Sequence, residues 1–168
     1  LITPQAAERF QIEAETAAIL SHPNIIQVYE VGETDDFLFF AMQLVHGESL
    51  SHHIKAAKKH VLPSKRRLSP RMTVTIMTQV LDALDYAHRQ NIIHRDIKPG
   101  NVLIESHSKR PIVLDFGIAR VTRGLEGESS SILGTPVYMP PEQIRNETVD
   151  RRADIYASGM MLFEMIVS

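Results

Sequence analysis

A long apolar pattern with helical spacing in the middle of the chain most constrains the fold. Its members recur every three or four residues: Met72, Ile76, Val80, Leu84 and Ala87. This spacing predicts one amphipathic helix, and Asn91 just beyond it is a suitable C-cap. Because such a helix has a continuous apolar face, other elements must pack against it. The core is therefore expected to form around this helix.

β-rich runs precede the helix. Ile25 to Val31 and Phe37 to Val45 are separated by the turn-forming residues 32–36, which predicts an antiparallel hairpin. Residues 47–49, Gly-Glu-Ser, are expected to end the second strand. The residues ahead of the hairpin predict a helix that begins after Thr3. The first part of the chain is therefore a small unit with both helix and strands.

The residues after the long helix form a mainly helical region. Short β-rich runs at 102–104 and 112–114 come first, and a Gly/Ser-rich stretch at 124–134 follows. An apolar segment from Ile155 to Val167 ends the chain and is predicted to be a buried helix. The predicted class is α+β, with a β-containing piece joined to a mainly helical one.

Composition narrows the functional classes. The formal net charge of -2 predicts no overall attraction to nucleic acid or to an anionic membrane. The segment from Ile155 to Val167 carries Glu164 and is too short to span a bilayer, so no membrane segment is expected. The sequence has no cysteine, which excludes disulfides and thiolate zinc sites and fits a reducing, cytoplasmic location. The chain is expected to form a single domain, 1–168.

The residues that carry chemistry are concentrated in the loop from His94 to Asn101, which reads His-Arg-Asp-Ile-Lys-Pro-Gly-Asn. Taken singly, these are ordinary loop residues, and His94 alone is compatible with a core histidine. Together they match the H-R-D-x-x-x-x-N catalytic loop. In this loop the chain resembles the protein kinases.

The resemblance implies roles for three side chains of the loop. Asp96 would orient the attacking hydroxyl and accept its proton. Lys98 would lie against the transferring phosphoryl group, where a cation offsets the developing charge. Asn101 would supply a neutral oxygen ligand to Mg²⁺. All three are therefore expected to be catalytic, and Lys98 and Asn101 are also expected to contact the nucleotide or its metal.

Asp115, Phe116 and Gly117 follow a predicted strand and resemble the Asp-Phe-Gly element of the same family. By that resemblance, Asp115 is a catalytic residue that binds the Mg²⁺ bridging the phosphates of ATP. Phe116 would pack under the first helix, and Glu13 on that helix would pair with the family's ATP-binding lysine. Without the loop at 94–101, the tripeptide would be read as a common turn.

Residues 41–45, Ala-Met-Gln-Leu-Val, resemble the hinge strand that binds adenine in protein kinases. The resemblance makes Met42 the gatekeeper and assigns adenine binding to main-chain groups of Gln43 and Val45. Ser49 would lie near the ribose. An ordinary buried strand is the alternative for this stretch.

Two segments near the end of the chain extend the resemblance. Residues 134–142 are similar to the peptide-positioning loop and its Ala-Pro-Glu element, with Pro140 in place of Ala. Asp154 resembles the buried carboxylate that accepts backbone N–H bonds from the catalytic loop. The alternative for Asp154 is a carboxylate at a helix N-terminus.

The resemblance also indicates a substrate class. Lys98 two residues after Asp96, together with Thr135, is similar to the pattern of kinases that act on Ser and Thr. Residues 22–25, His-Pro-Asn-Ile, and 151–156, Arg-Arg-Ala-Asp-Ile-Tyr, are most similar to the bacterial-type kinases of this class. Arg95 would pair with a phosphorylated activation loop, for which a flexible loop without a regulatory site is the alternative. The candidate acceptors in that loop are Thr122, Ser129, Ser130 and Ser131.

Two further features depart from the family pattern. No Gly-rich loop and no lysine precede Glu13, since Lys55 is the first lysine of the sequence. We therefore expect the first end of the chain to be a cut point, with a true loss of this part as the alternative, and the fragment alone to be inactive. The last predicted helix has no Gly or Pro stop signal, so the other end is expected to be a cut point as well. The stretch from Lys55 to Arg71 is basic, and it is either a docking surface for acidic substrates or a solvated helix end and loop.

The resemblance implies a two-lobed kinase fold. Residues 1–45 would be the remainder of the small lobe with the hinge, and residues 46–168 the large lobe through its central helix. The implied reaction uses Mg²⁺ and transfers the γ-phosphoryl group of ATP to Ser or Thr hydroxyls of protein substrates. A pseudokinase that binds or scaffolds without transfer is the alternative, and a hydrolase built on Asp96 and Asp115 is a third possibility.

Overall fold

The computed structural model describes residues 18–34, 38–116 and 136–167. Within them the strands are β1 (Val28–Glu33), β2 (Leu38–Met42), β3 (Gly47–Ser49), β4 (Val102–Glu105) and β5 (Pro111–Val113). The α-helices are α1 (Leu50–Lys58), α2 (Pro70–Arg89), α3 (Pro141–Ile144) and α4 (Arg152–Ile166). These elements confirm the α+β class. The Gly/Ser-rich stretch lies outside the described residues. So does the predicted first helix, apart from Ala18 at its end, which is helical.

The predicted antiparallel hairpin is confirmed, with different bounds. β1 pairs with β2 in a register that places Gly32 opposite Phe39. The prediction that the first strand starts at Ile25 is wrong, because Ile25 instead forms a parallel bridge to Val113. The next N–H, from Ile26, donates to the Val113 carbonyl at 2.9 Å. β-rich residues suit either partner, so packing against β5 decides which strand they join.

Residues 47–49 form a strand of their own, so the prediction that they only end the hairpin is wrong. They are β3, which pairs antiparallel with β4, and β4 pairs with β5 in a sheet of order β3-β4-β5. A Cβ on Gly47 would lie 2.3 Å from the carbonyl oxygen of Ile104, so this close approach requires glycine. A three-residue strand that pairs with a distant partner leaves no local periodicity to detect.

The central helix predicted from the apolar pattern is confirmed as α2. The Ser69 hydroxyl caps it and accepts from the Met72 N–H at 3.3 Å. Its buried face includes Ile76, Val80, Leu84 and Ala87. Gln90 is the C-cap, and Asn91 follows with a φ of 61°. The predicted cap is one residue too late, because Asn91 adopts the left-handed conformation typical of the position after the cap.

Residues 20–26 tie the hairpin to α2 and to the second sheet. The buried Asn24 side chain donates to the Pro111 carbonyl at 2.7 Å and to Gln79 Oε1 at 2.9 Å. The Asn24 carbonyl in turn accepts from the Val113 N–H at 2.8 Å. These bonds satisfy a buried amide and fix the base of the hairpin against β5. The stretch that follows β2 is thereby held beside the larger part of the molecule.

α4 packs against α2 through one face only. That face carries Ala153, Ala157, Met161 and Met165. The opposite face carries Ile155, Tyr156, Leu162, Phe163 and Ile166, which are 37% to 56% exposed. For the described residues, the prediction of a buried helix is therefore confirmed for one face of α4 and wrong for the other, because an apolar composition does not say which element covers each face. In the same residues, no helix combines the length and apolar character needed to cross a membrane.

Candidate active site

The loop from His94 to Asn101 lies between α2 and β4, and its backbone is held from two sides. Arg95 has a φ of 67°, a left-handed conformation that costs a non-glycine residue about 1 to 3 kcal/mol. The Arg95 N–H donates to Asp154 Oδ1 at 2.8 Å, and the Arg95 carbonyl accepts from Gln143 Nε2 at 3.0 Å. Side chains of α3 and α4 therefore impose the loop conformation.

Asp154 is the buried centre of this support. Its side chain is fully buried and accepts three hydrogen bonds, two of them from the N–H groups of His94 and Arg95 at 2.9 and 2.8 Å. The predicted backbone hydrogen bonds are thus confirmed. The third comes from His88 Nε2 at 2.7 Å. Three donors satisfy a carboxylate that would be costly to bury alone.

His94 joins the loop to the segment before Asp115. Its Nε2 lies 2.7 Å from the Leu114 carbonyl, and its Nδ1 lies 3.2 Å from the Asp96 N–H. Since a carbonyl only accepts and an N–H only donates, Nε2 carries the hydrogen and Nδ1 accepts. The imidazole also packs on the Phe116 ring, with centroids 4.6 Å apart. His94 therefore links the two polar segments directly.

Asp96, Lys98 and Asn101 form one hydrogen-bonded group. Lys98 Nζ lies 2.6 Å from Asp96 Oδ2, and Asn101 Nδ2 donates to the same oxygen at 2.9 Å. Asn101 Nδ2 also donates to the Asp96 carbonyl at 2.9 Å. Oδ1 of Asp96 is thus the oxygen that can accept a hydroxyl from outside. The Asp96 side chain is 21% exposed, so a substrate can reach it.

Asp115 lies beside this group. The Leu114 N–H donates to the Asn101 carbonyl at 2.9 Å, which joins the two loops at their ends. Asp115 has a φ of 60°, a conformation that Asp tolerates better than most residues. Burial raises the pKa of Asp115 above its ordinary value, and the nearby Asp96 adds to the rise while Lys98 opposes it. A cation at this carboxylate would relieve the cost of holding it ionised.

The oxygen atoms of Asp115 and Asn101 suit a hard divalent cation. Asp115 offers a carboxylate, and Asn101 offers its amide oxygen because its Nδ2 is engaged by Asp96. In residues 18–34, 38–116 and 136–167, no group of three or more His, Cys, Asp or Glu side chains could hold a metal. Mg²⁺ needs only one or two protein carboxylates because water and phosphate supply its other ligands. The residues therefore fit Mg²⁺ rather than a metal that requires a complete protein cage.

The predicted hinge residues follow β2. Met42 is the last residue of that strand, so Gln43 and Val45 lie beyond it, and the prediction that the strand extends to Val45 is wrong. The Gln43 N–H donates to the Gln27 carbonyl at 2.8 Å, which holds the segment against the hairpin and leaves the Gln43 carbonyl for another partner. Ser49 accepts from the His52 N–H at 3.2 Å and is the N-cap of α1.

Some of the predicted residues lie outside the described parts of the chain. They are Glu13, Gly117, Thr122, Ser129, Ser130, Ser131, Gly134 and Thr135. Phe116 is described and 2% exposed, but its predicted contact with the helix of Glu13 falls outside the described residues. Pro140 is the N-cap of α3 and is buried, so α3 begins directly after the Pro-for-Ala change.

Two supporting residues, His88 and Gln143, are missed by the sequence interpretation. His88 lies four residues after Leu84, so the apolar pattern places it on the inner face of α2. Gln143 directly follows the Pro-Pro-Glu triplet, but nothing local distinguishes it from a surface glutamine. Its partner, Arg95, lies 48 residues away in the sequence. Only the fold brings these groups together.

Comparison with known proteins gives a consistent result. The protein kinase domain family matches residues 2–168. Serine/threonine-protein kinase PrkC of Bacillus subtilis is 39% identical over 159 residues, which cover 94% of this chain and 23% of that protein. PknB of Mycolicibacterium smegmatis, also named a serine/threonine-protein kinase, is 36% identical over 165 residues, covering 94% of this chain and 25% of that protein. The chain thus spans about a quarter of the length of these curated relatives.

Solved structures agree with the sequence comparison. The crystal structure of the Mycobacterium tuberculosis PknI kinase domain superposes with a TM-score of 0.73 at 34% identity, covering 98% of this chain and 58% of that chain. The chain therefore shares the overall fold of that kinase domain. The chain belongs to the protein kinase domain family.

Proposed function

We propose that the complete protein is a serine/threonine protein kinase that transfers the γ-phosphoryl group of ATP to protein hydroxyls. The observation that carries the proposal is the hydrogen-bonded group of Asp96, Lys98 and Asn101, joined through Leu114 to Asp115. A positioned carboxylate, a cation and two candidate metal ligands within one buried scaffold are the parts that phosphoryl transfer requires.

Asp96 acts on the acceptor. Its Oδ2 is occupied by Lys98 and Asn101, so Oδ1 accepts the substrate hydroxyl and orients its oxygen toward the phosphorus. The proton of that hydroxyl passes to the carboxylate as the new P–O bond forms and the bond from the γ-phosphorus to the bridging oxygen breaks, which releases ADP. Lys98, 2.6 Å from Asp96, places its ammonium where negative charge develops on the phosphoryl oxygens. Both groups are held before substrate arrives, so little reorganisation is needed.

Asp115 and the amide oxygen of Asn101 would hold Mg²⁺. When bound, the ion supplies charge neutralisation for the phosphate oxygens of ATP. The residues of the chain contribute the preorganisation: the left-handed backbone at Asp115 and the hydrogen bond from Leu114 to the Asn101 carbonyl keep the two ligands on adjoining loops. Asp115 and Asn101 are therefore both metal-binding and catalytic in this proposal.

The nucleotide would extend from these ligands to the hinge. Met42 would lie behind the adenine, and the Gln43 carbonyl and the main chain of Val45 would bind its edge. Ser49 would lie near the ribose, although its hydroxyl already caps α1. Glu13 would pair with a lysine that is not in this sequence. Residues 1–45 would form part of the small lobe with the hinge, and residues 46–168 part of the large lobe.

Proteins with Ser or Thr acceptors are the proposed substrates. The support is Lys98 beside Asp96, the predicted role of Thr135, and two relatives that are both named serine/threonine-protein kinases. The pseudokinase alternative has no observation in its favour, since the catalytic carboxylate, its cation and both candidate metal ligands are present. A hydrolase is the weaker alternative, because the two relatives are named as kinases.

The test is transfer of phosphate from ATP to a generic Ser/Thr protein by the complete protein, with and without Mg²⁺. Asp96→Asn should lower kcat at least about a hundredfold, because the amide cannot take the proton. Asp85→Asn is the matched control, since Asp85 is an exposed carboxylate on α2 that pairs with Arg89. A folded protein that binds ATP but transfers nothing would establish the pseudokinase instead, and full activity in Asp96→Asn would overturn the assigned role.

A further inference from the structure

A groove lies between α1, α2 and the end of β4, and its volume is about 420 Å³. Met72, Ile76 and Ile104 form its apolar floor. Ile76 and Ile104 are each 2% exposed, so the floor is the outer edge of the core. Sites that bind small molecules or protruding side chains have volumes of about 300 to 1,000 Å³. None of the loop at 94–101 and neither Asp115 nor the hinge lines it, so the groove is separate from the candidate active site.

The rim of the groove is cationic. It contains Arg71 of α2 and Lys109 of the turn between β4 and β5, and both residues are exposed. His53 of α1 also lines it, and Glu48 Oε2 lies 4.0 Å from the imidazole of that residue. Among the described residues, no acidic side chain lines the groove. A ligand that seats an apolar group on the floor would therefore bring its charges against cations.

The positive charge continues beyond the rim. The sequence from the last turn of α1 to the first turn of α2 carries seven cations, which are Lys55, Lys58, Lys59, Lys65, Arg66, Arg67 and Arg71. Lys58 pairs with Glu164 at 3.4 Å. Exposed charges of one sign attract an oppositely charged partner and set its orientation.

We infer that this groove, named here the basic groove, is a docking site for a short acidic segment of a partner protein that carries a large apolar side chain. The apolar side chain occupies the floor over Ile76 and Ile104, and flanking carboxylates face Arg71 and Lys109. Charge complementarity favours this occupant, because both the rim and the surrounding segment are cationic. The inference does not depend on phosphoryl transfer.

Single-stranded nucleic acid is a weaker occupant. Proteins that bind it stack bases on aromatic side chains, and among the described residues no Phe, Tyr or Trp lines the basic groove. A small amphipathic acid would use the floor but only one or two of the cations. Both occupants are included as arms of the test.

Binding of a fluorescent peptide to the complete protein, measured by anisotropy without ATP, tests the inference. The probe is a short peptide of Glu and Asp around two Leu residues. Comparison probes replace Leu with Ser, or the acids with Lys, and a labelled oligothymidylate and a medium-chain fatty acid are used as competitors. We expect binding of the first peptide only, and a weaker interaction as salt is added.

Variants locate the interaction. Arg71→Glu combined with Lys109→Glu should weaken the peptide about tenfold, because two attractive rim contacts become repulsive. Thr75→Trp should have a similar effect, because Thr75 is exposed on α2 and lines the basic groove, so the indole would fill it. Arg67→Glu combined with Lys59→Glu is the matched control, since these cations belong to the same segment but do not line the groove. The control should change affinity less than about twofold.

The binding results distinguish an acidic peptide from the other possible occupants of the basic groove. Loss of binding in both groove variants but not in the control supports the inference. An equal loss in the control, binding of the Ser-substituted peptide, or displacement by the oligonucleotide would show general attraction to a basic surface and overturn it. Displacement by the fatty acid with no effect of charge reversal would assign the groove to a small ligand. A protein that phosphorylates substrates but binds no peptide would also overturn it, and would leave the kinase activity intact.

Discussion

The loop at 94–101 and the basic segment at 55–71 both contain many charged and polar residues, but they differ in burial and in hydrogen bonding. His94 of the loop and its support Asp154 are fully buried, and their polar atoms have partners. In the basic segment, Lys58 is 42% exposed and its ion pair is open to water. Arg66 is likewise exposed and donates to the His60 carbonyl at 3.1 Å.

This difference in burial determines where replacing a polar residue changes the free energy of unfolding most. A buried carboxylate with three donors cannot be removed without leaving those donors unsatisfied, at about 1 to 3 kcal/mol each. An exposed ion pair is replaced by water at almost no cost. Substitutions should therefore act strongly around the loop and weakly in the segment.

The largest effect on stability is expected from Asp154→Ala. The change leaves the N–H groups of His94 and Arg95, and the His88 imidazole, without their acceptor. We expect the free energy of unfolding to fall by about 3 kcal/mol or more, measured by chemical denaturation of the complete protein. Asp150→Ala, just before α4, is the control and should have a much smaller effect, because the Asp150 side chain is about half exposed and bonds only to the guanidinium and the N–H of Arg152. Equal effects of the two changes would contradict the comparison.

Gln143→Leu should have the next largest effect. It removes the donor to the Arg95 carbonyl while keeping side-chain volume close, so stability should fall by about 1 to 3 kcal/mol. Because Arg95 directly precedes Asp96, kcat should fall by about tenfold while the KM for ATP stays close to its original value. Gln143→Glu should behave like the Leu variant, because a carboxylate cannot donate. Gln90→Leu, at the exposed end of α2, is the control and should change neither quantity. A change in the KM for ATP without a change in kcat would argue against a positioning role for Gln143.

Asp115→Asn should change how stability depends on pH. Burial raises the pKa of Asp115 in the folded chain above its ordinary value of 3.8. As pH rises from about 4 through that raised pKa, the unfolded chain releases the proton more readily, so the wild type loses stability that the Asn variant keeps. Without divalent ions the variant should therefore be the more stable at pH 7, by a margin that vanishes near pH 4. Denaturation across this range checks it, and a margin independent of pH would contradict it.

The same variant separates stability from function. Asn accepts the left-handed backbone as readily as Asp, so the fold should be kept. Its neutral amide is a weaker Mg²⁺ ligand, so phosphoryl transfer should fall even though stability rises. Opposite signs for the two quantities are expected where a carboxylate is retained for chemistry rather than for folding.

The sequence identifies the loop at 94–101 because its polar residues form a local pattern. Asp96, Lys98 and Asn101 lie within a few residues of each other and their side chains are hydrogen-bonded in the structure, while their catalytic roles stay predictions. Gln143 and His88 are not predictable in this way, because their partners lie 48 and 66 residues away. Periodicity identifies a face of a helix but not the group that the face will contact.

The same limit explains the errors in the fold. The spacing of apolar residues predicts α2 because one face of a helix repeats in the sequence. β3 has three residues and no such repeat, so only its pairing with β4 defines it. Ile25 is suited to any strand, and packing against β5 decides its partner.

The smallest effect is expected from Lys58→Ala. Lys58 Nζ lies 3.4 Å from Glu164 Oε1, but the two side chains are 42% and 32% exposed, so water screens the pair. Glu164 also accepts from the Tyr138 hydroxyl, which keeps it hydrogen-bonded after the change. The free energy of unfolding should therefore shift by less than about 0.5 kcal/mol, and by less again in high salt. Lys59→Ala, one residue further, is the control. A fall in the free energy of unfolding above about 1 kcal/mol for Lys58→Ala alone would mean that the aliphatic stem of Lys58 packs against α4. The basic segment would then contribute to stability as the buried loop does, despite its exposure.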